Sequence, residues 1–508
     1  MARSTTDTLA TLGMRERFRD DYWSRRDPIS EDRLQWRAQT FRHLVHLLPG
    51  ESILELGSGS GLFTRQLHRL TRGANPLTAV SFQTAATRPT DLPESVEYIQ
   101  AGEWPGVLAD RQFDYIIAMD LLDQRNSPWF LQQVYASLAP GGEVVFYESN
   151  PWNIVLKARR AFGRLTGTSD PRSLLNRGRL YELLSEVGFI RTFAVFNDFV
   201  YAPLPRSTMW ALRNLSILLE NTPVVQTLAG SLVIHAQKPP RVRERTYRSL
   251  ARHESLRRAV SVVVPCHNEE MNVGPLVTAL RRLYDEYIHE IVLVDDNSTD
   301  STADVIRDLA ADDPRIVCVS RRPPNGVGRA LMDGYRAATG RYVLSMDCDF
   351  QHLLPEFSDL FDRAAEGHDV VIGSRFSRHS VLLNYPIKKA IANRGFHALA
   401  QLILRRRFRD VTNNLKLIRR DLLTTLPLSH PGFAINAQTG LFPVAMGFDV
   451  VEVPISWINR TPDMGMSSFK LAQVGGGYWD VLLEICRRTR FGTRRLPPRE
   501  NAEGEPKA

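Results

Sequence analysis

With 508 residues the chain exceeds what one hydrophobic core normally serves, so two domains are expected. Its 43% hydrophobic and 24% charged residues are those of a globular protein, and no window approaches the roughly 18 uninterrupted apolar residues of a spanning helix, so any membrane contact is expected from the surface. The net charge of +8 suits a nucleic acid, an anionic membrane surface or a phosphorylated substrate without choosing among them. The four cysteines, Cys266, Cys318, Cys348 and Cys486, lack zinc-like spacing, and the N-terminus has no long apolar core. Free thiols in a reducing cytoplasm, without a signal peptide, are the expectation.

Residues 1 to about 50 predict polar helices, the last offering Phe41, Leu44, Val45, Leu47 and Leu48 as an apolar face. Ser52 to Leu56 reads as a short buried strand, followed by Gly57-Ser58-Gly59-Ser60-Gly61 and a helical run from Leu62 to Leu67. A strand, a glycine-rich turn and a helix N-terminus turn backbone N–H groups and the helix dipole toward a ligand. Leu77 to Phe82, Val96 to Gln100, Asp114 to Met119 and Glu143 to Tyr147 are further strands, which predicts a doubly wound α/β sheet.

Glu55-Leu56-Gly57-Ser58-Gly59-Ser60-Gly61, Phe113 to Ala118 and Leu138-Ala139-Pro140-Gly141-Gly142-Glu143 together resemble class I S-adenosylmethionine-dependent methyltransferases, over about residues 40 to 238. Glu148-Ser149-Asn150-Pro151-Trp152-Asn153 is similar to a subgroup of them. The resemblance implies a Rossmann-like domain with S-adenosylmethionine as cofactor at Glu55, Gly57, Gly59 and Gly61, and with Glu103 near the adenine amine. One departure stands out: where that family grips the ribose with an acid after the second strand, this chain has Ala79-Val80-Ser81-Phe82-Gln83. Ser81 lacks the charge-assisted pairing of a carboxylate. An active methyltransferase and a scaffold or binding module without chemistry therefore both stay open. As general bases, Asp120, Asp123, His68 and Tyr147 qualify by residue type alone, and structural roles are expected for them.

After Ser231 to Gln237, a last strand, Lys238-Pro239-Pro240 and seven arginines between 241 and 258 mark a boundary. The expected division is a methyltransferase-like domain at 1–238, a basic linker at 239–257, a second domain at 258–492 and a disordered tail at 493–508. The arginine strip is either solvated or rests on anionic phospholipid.

From residue 259 a strand, a polar tip and a helix recur at about thirty-residue spacing. Val260 to Val264 ends in Pro265-Cys266-His267-Asn268-Glu269, Glu290 to Val294 in Asp295-Asp296, Ile316 to Ser320 in Arg321, and Tyr342 to Met346 in Asp347-Cys348-Asp349-Phe350-Gln351. Such β-branched runs are expected of parallel strands covered on both faces, whose carboxyl ends share one ligand-binding edge. Asn268, Glu269, Asp295, Asp296, Arg321, Asp347 and Asp349 should therefore converge. That set suits transfer from a pyrophosphate-bearing donor: Asp347 and Asp349, with the amide oxygen of Gln351, would hold Mg²⁺ or Mn²⁺ against the diphosphate. Asp295 or Asp296 would take a ribose or base, Pro265 and Glu269 would wall the base, and Asp300 would cap the next helix.

Val264 to Glu269, Val294 to Asp300, Met346 to His352, Val371-Ile372-Gly373-Ser374-Arg375-Phe376 and Glu452 to Ile455 resemble, in that order, inverting GT-A glycosyltransferases of the dolichyl-phosphate (polyprenyl-phosphate) mannosyltransferase type, over about residues 258 to 480. The resemblance implies a nucleotide-sugar donor, a metal held by Asp347, Asp349 and Gln351, and Arg375 facing phosphate. Two departures bear on the acceptor. Asp410-Val411-Thr412-Asn413-Asn414-Leu415-Lys416 replaces a Ser-Gly-aromatic stretch, and Gly432 to Gly440 carries no carboxylate where relatives acting on sugar hydroxyls have one.

A hydroxyl acceptor needs a general base, whereas a polyprenyl phosphate is already anionic. The missing acid favours the lipid phosphate; the alternative is a polysaccharide or natural-product hydroxyl with Asp410 as base. Arg375, Arg394, Arg460 and Lys470 are candidates for steadying the negative charge, the last two on a Gly/Ser-bearing loop that could close over it. Tyr385 to Leu404, followed by Arg405-Arg406-Arg407, fits a helix lying in the lipid interface, and Phe469 to Cys486 is a second amphipathic segment. The basic residues lack interleaved aromatics, which argues against nucleic acid. The expectation is a cytoplasmic hexosyltransferase peripheral to the inner face of the cytoplasmic membrane.

Overall fold

The computed structural model describes residues 5–23, 28–83, 87–100, 104–124, 126–166, 172–200, 211, 215–216, 219–220, 222, 224–240, 245, 248–348, 353–377, 379–383, 387–458 and 471–496. The chain forms two compact units, Met1–Arg248 and Ser249–Ala508. The division falls inside the arginine-bearing segment, and that segment is not solvated throughout. Arg245 packs on the first unit, its Nε 2.7 Å from Glu51 Oε1, while Leu250 and Leu256 are buried in the second.

The first unit begins with helices α1 (Thr5–Trp23) and α2 (Pro28–Leu44). It continues through β1 (Ile53–Leu56), α3 (Leu62–Thr71), β2 (Leu77–Ser81), β3 (Val96–Gln100), β4 (Phe113–Met119), α4 (Ser127–Ser137) and β5 (Leu138–Ser149). It closes with α5 (Ile154–Thr166), α6 (Arg177–Val187), β6 (Ile190–Asn197) and β7 (Ser231–Gln237). The sheet order is β3-β2-β1-β4-β5-β7-β6, with β7 antiparallel to its neighbours. Every residue of β1 and β2 is buried, as expected of strands covered on both faces. Cores lie on either side of the sheet, one around Leu54, Ile116, Phe130 and Phe146, the other around Phe41, Ile53, Tyr115 and Tyr147. Each fully buried aliphatic or aromatic side chain contributes about 1.5–3 kcal/mol.

The second unit runs through β8 (Val260–Cys266), α7 (Glu270–Tyr284), β9 (Ile288–Asp295), α8 (Thr302–Asp312), β10 (Ile316–Ser320), α9 (Val327–Ala337) and β11 (Tyr342–Ser345). Then come α10 (Phe357–Ala365), β12 (Val370–Ser374), β13 (Leu382–Leu383), α11 (Ile387–Leu404), β14 (Lys416–Arg419) and α12 (Arg420–Thr425). It ends with α13 (Ile435–Met446), β15 (Val450–Pro454), β16 (Trp457–Ile458) and α14 (Leu471–Thr489). The main sheet has the order β10-β9-β8-β11-β14-β12-β15. Strands β10, β9, β8 and β11 are parallel, and β14 runs against both β11 and β12. The strand order reverses at β8, so a crevice opens where the carboxyl ends of β8 and β11 diverge, the usual ligand position in such sheets. In the first unit the corresponding reversal lies between β1 and β4.

Candidate active site

The register of the second sheet brings most of the expected tips to one edge. Cys266 at the end of β8 pairs with Asp295 at the end of β9, and Ser345, two residues before Asp347, pairs with Val263. Asp296 N donates to Cys266 O at 2.8 Å, and Arg321 N to Asp295 O at 2.9 Å. Pro265, Asp295, Asp296, Arg321 and Asp347 thus sit along one rim.

The structure separates the two adjacent acids. Both oxygens of Asp296 are engaged, one by Arg321 and the other by Gly326 N at 2.7 Å, and Arg321 also holds Asp333 at 2.7 Å. Asp296 and Arg321 brace the rim. Asp295 accepts Ser298 N on one oxygen at 3.1 Å, and among the described residues no donor meets the other. Of the two, Asp295 is the one that keeps an oxygen open to a further donor.

Asn268, at φ 57°, turns inward: its Oδ1 accepts Thr299 N at 2.8 Å, which ties the loop after β8 to the loop after β9. Glu269 accepts the Asn272 amide at 2.5 Å. Asp300 accepts Thr302 N, at the first residue of α8, at 3.0 Å, while the N-cap position itself is Ser301.

Asp347 is met by a residue whose role the sequence did not show. Asn414 Nδ2 donates to Asp347 Oδ1 at 2.8 Å, while Asn414 Oδ1 is buried without a partner. Asn414 precedes β14 by two residues, and β14 lies against β11. Asp349, Gln351, Arg460 and Lys470 lie outside the described residues, as does Glu103. Among the described residues no three His, Cys, Asp or Glu side chains gather as a metal site. The Asp347 carboxylate and the orphaned Asn414 amide oxygen offer oxygen donors only, which suits Mg²⁺ or Mn²⁺.

Arg375, which the resemblance sets facing phosphate, is paired with a carboxylate in the fold. Its guanidinium embraces Asp410 at 2.6 and 3.0 Å, and its backbone N–H donates to the same carboxylate at 3.1 Å. Asp410 is fully buried and also accepts from Asn393 and Thr412. Although burial opposes ionisation, the Arg375 charge and these hydrogen bonds hold the Asp410 carboxyl well below the usual carboxylate range. A buried acid so stabilised is a poor general base. Asp410→Ala would leave Arg375 uncompensated and is expected to cost about 3–5 kcal/mol, read in denaturant melts. Asp410→Asn should keep sugar transfer in its folded fraction; lost turnover with an intact melt would restore the hydroxyl-acceptor reading.

Arg394 is engaged too, donating to Arg409 O at 2.8 Å and lying 4.8 Å over the Phe376 ring. Beneath the rim, Lys416 is buried and donates to the carbonyls of Asn413 and Asn436. Burial pushes its pKa down to about 7.

His397, also buried, places Nδ1 2.7 Å from Asn393 O and accepts Val411 N on Nε2 at 3.0 Å, which defines a neutral ring protonated at Nδ1. Burial pushes its pKa down to about 4. Since the unfolded ring titrates near 6.5, the folded state binds fewer protons between these values and loses stability as pH falls through that window. The melting temperature is expected to drop between about pH 6.5 and 4, with a shallower slope in His397→Gln.

In the first unit, Gly57, Gly59 and Gly61 all take positive φ (72°, 52° and 71°), the backbone form of a ligand cradle. Yet α1 lies across the carboxyl ends of β1, β2 and β4. Glu16 accepts Ser81 Oγ at 2.5 Å and Phe82 N at 2.6 Å, at the spot where the sequence lacks its own acid. Asp20 accepts Ser60 N at 2.8 Å and Gln83 Nε2 at 3.2 Å, and a Cβ on Gly59 would collide with its carboxylate. Arg19 holds the carbonyls of Gly57 and Met119, and Arg15 holds Asp123 and the Leu121 carbonyl.

Glu55 is buried with Oε2 unpartnered, and its pKa is pushed up to about 7. The glycine cradle is intact, but α1 fills the crevice, so in this conformation the residues present do not fit S-adenosylmethionine. The bases considered from residue type are structural. Tyr147 donates to Arg37 O at 2.7 Å in the core, Asp120 pairs with Arg172, and His68 contacts Ser95.

Two doubly wound sheets, each with a reversal-point crevice, make a two-domain α/β protein with a ligand-binding edge in each unit. Residues 261–426 match the description "Glycosyl transferase family 2", and residues 31–190 match "Methyltransferase domain". The C-terminal half therefore carries a glycosyl transferase family 2 domain and the N-terminal half a methyltransferase domain.

Among characterised relatives, polyprenol monophosphomannose synthase of Mycolicibacterium smegmatis is 29% identical over 213 residues, 41% of this chain and 79% of that protein. Dolichol-phosphate mannosyltransferase of Pyrococcus furiosus is 26% identical over 200 residues, 39% of this chain and 56% of that protein. A solved structure of glucosyl-3-phosphoglycerate synthase from Mycobacterium tuberculosis, with Mn²⁺, uridine diphosphate and glucosyl-3-phosphoglycerate, aligns with 23% identity and a TM-score of 0.35 over 48% of this chain and 87% of that one.

Proposed function

We propose that the C-terminal domain transfers a hexose, with inversion, from a nucleotide sugar to polyprenyl phosphate at an anionic membrane surface. The observation that carries this reading is the state of Asp410. The carboxylate offered as an alternative base is buried and locked to Arg375, so an acceptor that is anionic without deprotonation is favoured. The names of the two relatives, a polyprenol monophosphomannose synthase and a dolichol-phosphate mannosyltransferase, point the same way.

Asp295 receives the nucleoside, while Asp296 and Arg321 keep the loops after β9 and β10 in place. Asp347 and Asn414, with Asp349 and Gln351, would hold Mg²⁺ or Mn²⁺. When bound, the ion supplies Lewis-acid stabilisation of the departing diphosphate. Arg460 and Lys470 contribute positive charge for the two anionic reactants.

Support for a membrane-side location comes from α11 and α14, which meet through Phe396 and Tyr478 with ring centroids 5.2 Å apart. Helix α11 buries Ala390, His397, Ala400 and Leu404 but exposes Ile391, Leu399 and Leu402, and α14 exposes Trp479 and Leu483. The exposed arginines 405–407 follow α11 directly. No helix among the described residues is long and apolar enough to cross a membrane.

Incubating the purified chain with Mg²⁺, detergent-solubilised polyprenyl phosphate and a panel of labelled nucleotide sugars should yield a lipid-linked sugar from one donor. No lipid product from any donor would overturn this reading. The N-terminal domain would bind S-adenosylmethionine only after α1 gives way; until then it acts as a scaffold.

A further inference from the structure

The N-terminal domain carries a surface that neither crevice uses. Trp152, Ile154, Val155 and Phe162 are 59%, 66%, 54% and 68% exposed, although the unit has buried cores on both faces of its sheet. Ile154, Ala158, Ala161 and Phe162 are spaced by three or four residues along α5 and form one apolar stripe, with the exposed Ala158 and Ala161 as its middle. Contiguous apolar exposure of this kind marks an interaction site on a folded protein.

The stripe is held out by a firm root. Asn150 Nδ2 donates to Thr227 O and Ala229 O at 2.8 and 2.7 Å, Asn153 Nδ2 donates to Leu228 O at 2.5 Å, and Asn153 Oδ1 accepts Leu156 N at 2.8 Å in the first turn of the helix. The charge of its own segment has one sign. From 151 to 166 the sequence contains Lys157, Arg159, Arg160 and Arg164 and no acid. At the foot of the helix, Lys157, Arg160 and Asn150 line a cavity of about 340 Å³.

We propose that α5 and the Trp152 turn form a wedge by which the N-terminal domain lies on an anionic phospholipid surface. The apolar stripe enters the acyl boundary while the exposed Lys157 meets lipid phosphate and Arg160 stays tied to the Arg172 carbonyl, the division of labour of an interfacial amphipathic helix. With the exposed Lys157 beside it and no acid in its own segment, the stripe is complementary to such a surface, whereas a second copy of this segment would bring cation against cation. The proposal rests on the lipid-phosphate acceptor for its purpose: it gives the methyltransferase-fold domain the task of holding the enzyme where that acceptor resides.

The test uses the full chain sedimented with vesicles of phosphatidylcholine containing roughly 30% phosphatidylglycerol, and with phosphatidylcholine alone. Trp152→Ser/Phe162→Ser is expected to lower partitioning onto the anionic vesicles at least tenfold, and Lys157→Glu to lower it several-fold. Melting temperatures should stay unchanged, because these side chains are exposed. Sugar transfer to detergent-solubilised polyprenyl phosphate should also be unaffected in both variants. Wild-type partitioning by Trp152→Ser/Phe162→Ser would overturn the proposal. So would a wild-type dimer in solution that this variant dissolves, which would assign the stripe to self-association. Transfer absent from every protein in detergent would count against the acceptor reading alone, and the vesicle result would still decide the role of α5.

Discussion

Asp347→Ala is expected to lower sugar transfer by about 10²- to 10³-fold, the scale on which removing one element of preorganised charge stabilisation acts. The melting temperature should shift little. Asp347 stands just beyond β11 on the crevice rim, and its described hydrogen-bond partner is the amide of Asn414. Asn414→Ala should cost about 10- to 100-fold, the usual scale for a residue that orients a metal ligand. It should also raise the Mg²⁺ or Mn²⁺ concentration needed for half-maximal rate. Because the two residues touch, the double variant should be no worse than the sum of their separate free-energy costs, and less bad if Asn414 acts only through Asp347. Wild-type turnover in Asp347→Ala would remove the metal assignment. An Asn414→Ala enzyme with unchanged metal dependence would remove Asn414 from the ion's surroundings while leaving Asp347 in place.

Many strands of the two main sheets were legible because their apolar runs are short, β-branched and closed by polar tips; β1, β2, β4, β8, β9 and β10 all fall within a residue or two of the expected spans, whereas β6 and the antiparallel β14 were not anticipated. Convergence of Asp295, Asp296, Arg321 and Asp347 was legible as well, since parallel strands connected by helices must bring their carboxyl ends to one edge. Less legible was which of those side chains would be spent on one another. Asp295 and Asp296 are adjacent and chemically identical, yet only the fold places Gly326 N and Arg321 against the second. The resemblance implied Arg375 beside phosphate; its partner in the fold, Asp410, is thirty-five residues away, beyond β13 and α11, so nothing in the local sequence pointed to the pair. Asn414 had one available signal, the pair Asn413-Asn414 standing where relatives have small and aromatic residues, but nothing in that departure indicated Asp347 as its partner.

In the first unit the glycine loop and the doubly wound sheet were readable, whereas the occupant of the crevice was not. Helix α1 reads as one of the polar helices and has no apolar face by periodicity, so nothing singles out Arg15, Glu16, Arg19 and Asp20. They are ordered instead by complementary backbone groups at three strand ends. Leu12 is fully buried, and the backbone at Gly13 approaches Phe82 O so closely that a Cβ there would stand 2.5 Å from it.

S-adenosylmethionine is therefore expected to bind the full chain without saturation below about 1 mM in calorimetry. Its adenosine would need the position of the Glu16 carboxylate on Ser81 and Phe82, and its remainder the place of Asp20 against Gly59. Each charge-assisted hydrogen bond broken to free that space costs about 1.5–3 kcal/mol. The apparent affinity falls in proportion to the small fraction of molecules with α1 displaced. Glu16→Ala/Asp20→Ala removes the two carboxylates while leaving Arg15 and Arg19 to hold the helix, and should tighten binding by at least about tenfold. Saturable wild-type binding in the tens of micromolar would show that α1 closes over the cofactor rather than in its place, in which case the double substitution should weaken binding. The sign of that change, read with the melting temperature of each protein, separates a helix that replaces the cofactor from one that clasps it.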